Sequence, residues 1–334
     1  MQFGTYPWAA PGAVGPVDPP VPNDANKAMA VCKTLKGKKQ LTIRDYGDYV
    51  GGTATDTADH LMSDVTWWAQ NGFRVEAVLR YRAASGWGGW LDWVRAISKR
   101  LAALPNVVAI QVGNEPNNMT PAAGDGSYPN AIQNIAQGVI AARAAVIAVG
   151  RSDIRVGFNW AADSCKTTEP MWSQLHQYGG AAFTAAVGFI GIDIYPGTWT
   201  APVSDSPAMA DIDAAMCGAL AALRTKHMVA AGLGPAVPIV VTESGYPTDS
   251  TRSEATQDAV LNQVLKSALA VAGALNVIGL NWFALRDANT NSGQLENGYG
   301  LCRDDYSPKP AFSSFRGYVA PRSAPCTDLR PTSP

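Results

Sequence analysis

The chain is short of charge. Only 16% of its 334 residues are Asp, Glu, Lys or Arg, and the two signs nearly cancel to a formal net charge of −1. Nucleic acid is therefore not an expected partner, and the densest basic run, residues 33–39, reads as a solvated helix end. Histidine is scarce: His60, His176 and His227 are scattered and form no H-E-x-x-H pair, which removes the common zinc-hydrolase pattern. The 5 cysteines make no C-x-x-C pair and have no histidine at metal spacing. Neither a dinucleotide fingerprint nor a phosphate loop occurs, and there is no G-x-S-x-G elbow. No metal and no organic cofactor is expected. No uncharged run of about 18 apolar residues occurs either, so no membrane span is expected.

The N-terminus lacks the basic segment, apolar stretch and cleavage site of a signal peptide. Wide cysteine spacing fits one or two disulfides, with buried free thiols as the alternative. Cys302 and Cys326 form the pair expected to pin a Pro-rich tail over residues 321–334. The expectation is a secreted, monomeric protein whose leader is absent from this sequence; a cytoplasmic protein is the alternative.

Apolar residues, by contrast, make up 47% of the chain, enough for a large buried core. They fall into a repeating order, a short β-branched run and then an Ala/Leu-rich helical stretch. Strands are predicted at residues 2–8, 40–46, 73–82, 107–114, 154–160, 187–195, 238–243 and 276–285. Helices are predicted at 24–35, 57–71, 90–104, 129–149, 171–178, 209–231, 254–272 and 310–318, with Asp24 and Ser253 as capping residues. Eight such units favour a single (β/α)₈ TIM barrel over residues 1–320 rather than an open doubly wound sheet.

The strand ends support that choice. Strands begin aliphatic, whereas their ends carry Arg44, Arg80, Asn114, Glu115, Asn159, Trp160, Asp193, Tyr195, Glu243 and Trp282. A barrel of this kind places its chemistry at the C-terminal ends of its strands. Two motifs stand out there: Gly113-Asn114-Glu115-Pro116 closes the fourth strand and Thr242-Glu243-Ser244-Gly245 the seventh. Strands four and seven lie on nearly opposite walls, so the two carboxyl groups can converge across the mouth. Cleavage of a glycosidic bond needs such a pair, one protonated to release the leaving group and one ionised to attack or to activate water.

With these motifs in place, the sequence resembles the retaining glycoside hydrolases of clan A, which share the barrel, an Asn-Glu acid/base after strand four and a Glu nucleophile after strand seven. The resemblance implies Glu115 as acid/base, Glu243 as nucleophile and Asn114 as the partner of the substrate 2-hydroxyl. It also implies that Tyr195, in Asp193-Ile194-Tyr195-Pro196, orients the nucleophile, that Arg44 lies near it, and that Trp282 floors the adjacent subsite. Each has a plainer alternative: Tyr195 bonded to backbone, Arg44 paired with Asp45 or Asp48, Trp282 as core. The physical expectation is a raised pKa for Glu115 and a carboxyl separation of about 5 to 5.5 Å, where inversion needs roughly 6.5 to 9.5 Å.

Among 10 tryptophans, Trp8, Trp87, Trp160, Trp199 and Trp282 fall at strand ends or in the loops after them. Sugar rings stack their C–H faces on such aromatics, so Trp87, Trp160 and Trp282, together with Asn159, are assigned to substrate binding. Trp67, Trp68, Trp90 and Trp93 lie in helical patterns and are expected to pack helices on the barrel. The polar segment 286–305 after strand eight, with Asn289, Asn291, Glu296 and Asn297, is placed to shape subsites. The motif Thr242-Glu243-Ser244-Gly245-Tyr246-Pro247 resembles that of β-1,3-glucan hydrolases in the clan, so a β-linked glucan is the first expectation. Transglycosylation and a catalytically silent carbohydrate-binding barrel are the alternatives.

Overall fold

The computed structural model describes residues 1–9, 21–51, 56–84, 88–120, 123–162 and 168–320. Eight parallel strands close on themselves in sequence order, β1 pairing with both β2 and β8. They are β1 Gln2–Thr5, β2 Thr42–Tyr49, β3 Arg74–Tyr81, β4 Val107–Val112, β5 Arg155–Ala161, β6 Phe189–Asp193, β7 Ile239–Ser244 and β8 Val277–Trp282. This is the (β/α)₈ barrel the alternation predicts.

The helices form the outer layer: α1 Ala25–Lys36, α2 Asp56–Gln70, α3 Trp90–Ala102, α4 Ala131–Ala148, α5 Thr168–Ala186, α6 Met209–Ala222, α7 Met228–Ala230, α8 Glu254–Leu275 and α9 Pro310–Val319. A π turn, Leu223–His227, joins α6 to α7. In α3, Trp90, Trp93, Val94, Ile97 and Leu101 repeat at helical spacing and are buried, while Asp92, Arg95, Lys99 and Arg100 stay out. Burying each such Leu or Ile is worth about 1.5–3 kcal/mol relative to exposure. Caps set two entries: Asp24 accepts from the Asn26 and Lys27 amides, and Ser253 from the Thr256 amide.

Two differences from the sequence expectation have local causes. The glycine pair at 179–180 suggests a helix end at Tyr178, but the chain absorbs the break at Gly180 (φ 53°) and turns helically again to Ala186. α4 is long and apolar enough to cross a membrane by length and composition, with mean hydropathy 1.3. It carries Arg143, however, and over half of it is buried among its neighbours, as in the core helix of a globular barrel. Cys32, Cys217 and Cys302 are free thiols among the described residues. The expected Cys302–Cys326 pairing and the 321–334 tail lie outside the described residues, as does Trp87.

Inside the barrel the packing is polar. Arg44 from β2 bonds Glu76 from β3 and Gln111 from β4, and Asn281 from β8 donates to the other Glu76 oxygen at 3.1 Å. Gly4 makes room for this layer: a Cβ there would meet the Asn281 amide oxygen at 2.1 Å. A guanidinium fixed by the Glu76 carboxylate and the Gln111 amide is a rigid floor, and the candidate site sits on it.

Candidate active site

The end of β4 is a tight turn. Gly113 takes φ 79°, and a Cβ there would collide with Ile135 of α4 at 2.5 Å. Glu115 itself lies in the left-handed region, φ 48°, a conformation that costs energy for a side-chain-bearing residue and recurs at functional sites. Neighbours over-determine it. The Glu115 amide donates to Asn159 Oδ1 at 2.8 Å, and the Asn114 amide to Asp125 Oδ2 at 2.9 Å. Asp125 is wholly buried and also accepts from the Tyr81 amide at 2.7 Å, so it ties the ends of β3 and β4 together.

Glu243 arrives from the opposite wall. Three donors meet its carboxylate: Tyr46 hydroxyl to Oε1 at 2.6 Å, Arg44 to Oε1 at 3.3 Å and Tyr195 hydroxyl to Oε2 at 2.8 Å. Arg44 also donates through Nε to the Tyr46 oxygen at 2.9 Å. Burial works against the guanidinium charge, yet Tyr46, Glu76, Glu243 and Asp193 around it outweigh that and hold its pKa above the usual arginine value.

Glu115 has different surroundings. Its side chain is partly open to the mouth, and its one hydrogen bond among the described residues is from Asn118 Nδ2 to Oε2 at 2.7 Å. Loss of water, then the negative charge of Glu243, push its pKa up to about 7, with Asn118 pulling the other way. One carboxylate oxygen each from Glu115, Glu243 and Asp193 lie within 4.8 Å of one another. Asp193, at the end of β6, accepts from Thr242 Oγ1 at 2.6 Å and from Asn159 Nδ2. Desolvation, then Glu243 and Glu115, raise its pKa well above the ordinary value. Such a trio has the spacing of cation ligands, but Arg44 already brings the positive charge to Glu243, and both Asp193 oxygens are occupied. What remains is one hydrogen-bonded carboxylate facing one carboxylic acid across a narrow gap, the pair needed for acid-assisted displacement at a carbon–oxygen bond.

The structure brings together Arg44, Asn114, Glu115, Asn159, Tyr195 and Glu243. Arg44 pairs with Glu76 and Glu243 rather than with Asp45 or Asp48. Asn114 Oδ1 accepts from Asn159 at 3.1 Å and from Arg44 at 3.4 Å. Two expected platforms need correction. Trp160 follows the inward Asn159, so strand alternation turns it outward; its ring lies 4.7 Å from His227 and 6.0 Å from Trp172 in the helical layer. Trp282 follows the inward Asn281 in the same way and is 0% exposed. It offers no face to a sugar. Trp8, also a platform candidate, packs on Trp68 and donates to Asp45 at 3.2 Å.

Phe283, rather than Trp282, joins the rings around Tyr195. It stacks on Tyr6 at 5.5 Å and meets the Tyr195 and Tyr299 rings edge-on at 6.3 and 6.0 Å. Tyr46 also escaped the sequence reading, although it lies two residues beyond Arg44 and therefore on the same strand face. Trp199 is 42% exposed, and its indole donates to the Tyr299 hydroxyl at 2.8 Å. The three histidines lie elsewhere: His60 beside Asp64, His227 between Trp160 and Trp172, and His176 against Gly232.

No protein-family model matches the sequence, and no curated protein matches it. Solved structures do. The chain is similar to a family 39 glycoside hydrolase from Bacteroides cellulosilyticus, at 17% identity and TM-score 0.61, over 96% of this chain and 63% of that one. It therefore spans less than two thirds of that protein's length. It is similar to a GH5_18 protein from Bifidobacterium longum in complex with Manβ1-4GlcNAc, at 13% identity and TM-score 0.66, over 96% of this chain and 78% of that one. A GH1 β-glucosidase from Exiguobacterium antarcticum aligns at 12% identity and TM-score 0.61, over 96% of this chain and 97% of its own. At such identities the likeness is one of fold, and that fold is the (β/α)₈ barrel of glycoside hydrolases from families 1, 5 and 39.

Proposed function

We propose that the protein is a retaining glycoside hydrolase, with Glu243 as nucleophile and Glu115 as acid/base, acting on a β-linked oligosaccharide or polysaccharide. The observation that carries this reading is the approach of the two carboxyl groups to within 4.8 Å at their nearest oxygens, in opposite surroundings. A gap of that size suits direct attack on the anomeric carbon and leaves little room for the water that inversion places between the groups. The solved relatives favour a β-linked substrate, one being a β-glucosidase and another holding Manβ1-4GlcNAc. A β-glucan is the first choice, on the motif around Glu243, and a polymer substrate fits work outside the cell.

In the first step a Glu243 oxygen bonds to the anomeric carbon while the glycosidic C–O bond breaks and Glu115 gives its proton to the departing oxygen. In the second, Glu115 takes a proton from water, whose oxygen displaces Glu243 and restores the starting configuration. Tyr46, Tyr195 and Arg44 hold the Glu243 carboxylate in place. This reading gives the substrate 2-hydroxyl to Asn114, just past the end of β4, and the apolar face of the ring to Phe283.

Proton NMR during the first turnovers tests the stereochemistry. The product sugar should appear as the anomer of the substrate and only later mutarotate; prompt appearance of the opposite anomer would sink retention. Tyr195→Phe removes one hydrogen bond to a charged oxygen, worth about 1.5–3 kcal/mol. Steady-state kinetics should then show kcat/KM lower by about 10- to 100-fold, with the melting temperature kept. An unchanged kcat/KM would remove Tyr195 from the site.

A further inference from the structure

The chemistry above leaves one ion pair in the barrel mouth without a role. On β2, Arg44 and Tyr46 share the inner face and both reach Glu243, so Asp48, two residues on, faces inward as well. On β3, Glu76 bonds Arg44, and Arg80 follows four residues later on the same face. Asp48 and Arg80 are direct partners in the strand register, as Tyr46 and Val78 are two residues below. Two residues climb about 6.6 Å along a strand. The pair therefore forms the layer above Tyr46, toward the mouth.

It stands against the nucleophile's own support. The Arg80 guanidinium lies over the Tyr46 ring, 5.1 Å from its centre, and the Tyr46 hydroxyl holds Glu243 at 2.6 Å. Arg80 donates to Asp48 Oδ1 through Nε alone, and Arg82 approaches that same oxygen at 3.9 Å. Nη1 and Nη2 of Arg80 and Oδ2 of Asp48 carry no hydrogen bond to a described residue, and none of the three is a buried, unpaired atom. The Arg80 and Asp48 side chains keep 15% and 31% of their surface open. A fork of N–H groups and a carboxylate oxygen are thus fixed side by side on adjacent strands and open to the mouth. They match two neighbouring hydroxyls, which donate to the carboxylate and accept from the guanidinium.

We propose that Arg80 and Asp48 are specificity-determining residues that together bind two neighbouring hydroxyl groups of the sugar lodged against Glu243. The inference rests on reading the cleft as a sugar site and adds what that site selects, a neutral sugar offering a diol. Each hydroxyl can both donate and accept, so a diol satisfies Arg80 and Asp48 at once. A uronic acid placing its carboxylate on the Arg80 fork brings like charge against Asp48 and is disfavoured.

The test takes the fastest of the 4-nitrophenyl β-glycosides of glucose, galactose and mannose, its 3-, 4- and 6-deoxy forms, and the glucuronide, against wild type, Arg80→Gln and Asp48→Asn. In wild type, removing either hydroxyl of one neighbouring pair (3 and 4, or 4 and 6) should lower kcat/KM by about 10- to 100-fold, the loss of a charge-assisted hydrogen bond. Each variant should lose as much on the parent glycoside. The same deoxy forms should then cost the variant less than about threefold more, because the contact is already gone. A substitution that merely loosened the barrel would slow every substrate alike, and the two losses would multiply. Multiplying losses, a parent glycoside slowed less than about threefold in both variants, no sensitive pair in wild type, or a wild-type preference for the glucuronide would each overturn the proposal. Should one variant fail to fold, the other reads the same coupling. Turnover of none of these glycosides counts against the hydrolase reading, and calorimetric titration of cellobiose and laminaribiose then reads the contact alone. Binding should be at least about tenfold weaker in Arg80→Gln; binding equal in both proteins, or absent from both, rejects the role of the pair.

Discussion

Glu243→Ala is expected to lose about 10⁵-fold or more in kcat, roughly 7 kcal/mol of barrier, because the variant has no group to form the covalent intermediate. Sodium azide should restore part of that rate. The missing side chain leaves a space into which Tyr46, Tyr195 and Arg44 all point, two hydroxyls and a cation arranged around an anion. Azide fits that space by size and charge and attacks the anomeric carbon from the side Glu243 used. Only one displacement then takes place, so the product should be a glycosyl azide of configuration opposite to the substrate. Mass spectrometry and proton NMR identify it. A control melting curve is needed, since removing the acceptor takes a partner from the Tyr46 and Tyr195 hydroxyls, while Arg44 keeps Glu76, Gln111 and Asn114, and some loss of stability follows. Wild-type-like turnover in the variant, or rescue giving the azide with the substrate's own configuration, would take the nucleophile role from Glu243.

Why the two glutamates could be found in the sequence, and parts of their surroundings could not, follows from where each signal lies. Each Glu ends an apolar run and stands in a short motif, and a parallel barrel sends every strand end to one face, so topology did the rest. Tyr195 and Arg44 were legible for the same reason. Trp160 and Trp282 failed on phase. Alternation is strict within a strand, and each follows an inward amide, Asn159 or Asn281, whose inward role depends on partners in distant strands. The ring that reaches the Tyr195 cluster is Phe283, two positions beyond the inward Asn281, so the same alternation that turns Trp282 away brings Phe283 to the inner face. Asp125 could not be seen at all. Its carboxyl joins two backbone amides, at Tyr81 and Asn114, and a side chain that serves backbone leaves no paired residue type for a sequence pattern to show.

Removal of Glu115 should split the two half-reactions, and this gives the assignment its strongest check. Glu115→Gln on an oligosaccharide is expected to lower kcat/KM by about 10²- to 10⁴-fold, the usual worth of a general acid. With a 2,4-dinitrophenyl glycoside the leaving group departs without a proton, so the first step should stay fast. The second should slow, since no base remains to activate water, and a burst of dinitrophenolate should precede a slow steady rate. The pH dependence carries a sign. The Glu115 pKa is raised to about 7, by burial first and by Glu243 next, and the first step needs the protonated form. Wild-type kcat/KM should therefore fall as pH rises through about 7, tenfold per unit beyond it, and Glu115→Gln should lose that alkaline limb. Once Glu243 is esterified its charge is gone, and the second cause of the raised pKa goes with it. Glu115 then gives up its proton more readily, when the second step needs it as a base. Titration of the 2-deoxy-2-fluoroglycosyl enzyme, followed by the ¹³C shift of labelled glutamate, should show the Glu115 pKa lower than in the free protein. An alkaline limb that persists in Glu115→Gln, or a dinitrophenyl substrate slowed as much as an oligosaccharide with no burst, would assign the proton to another group.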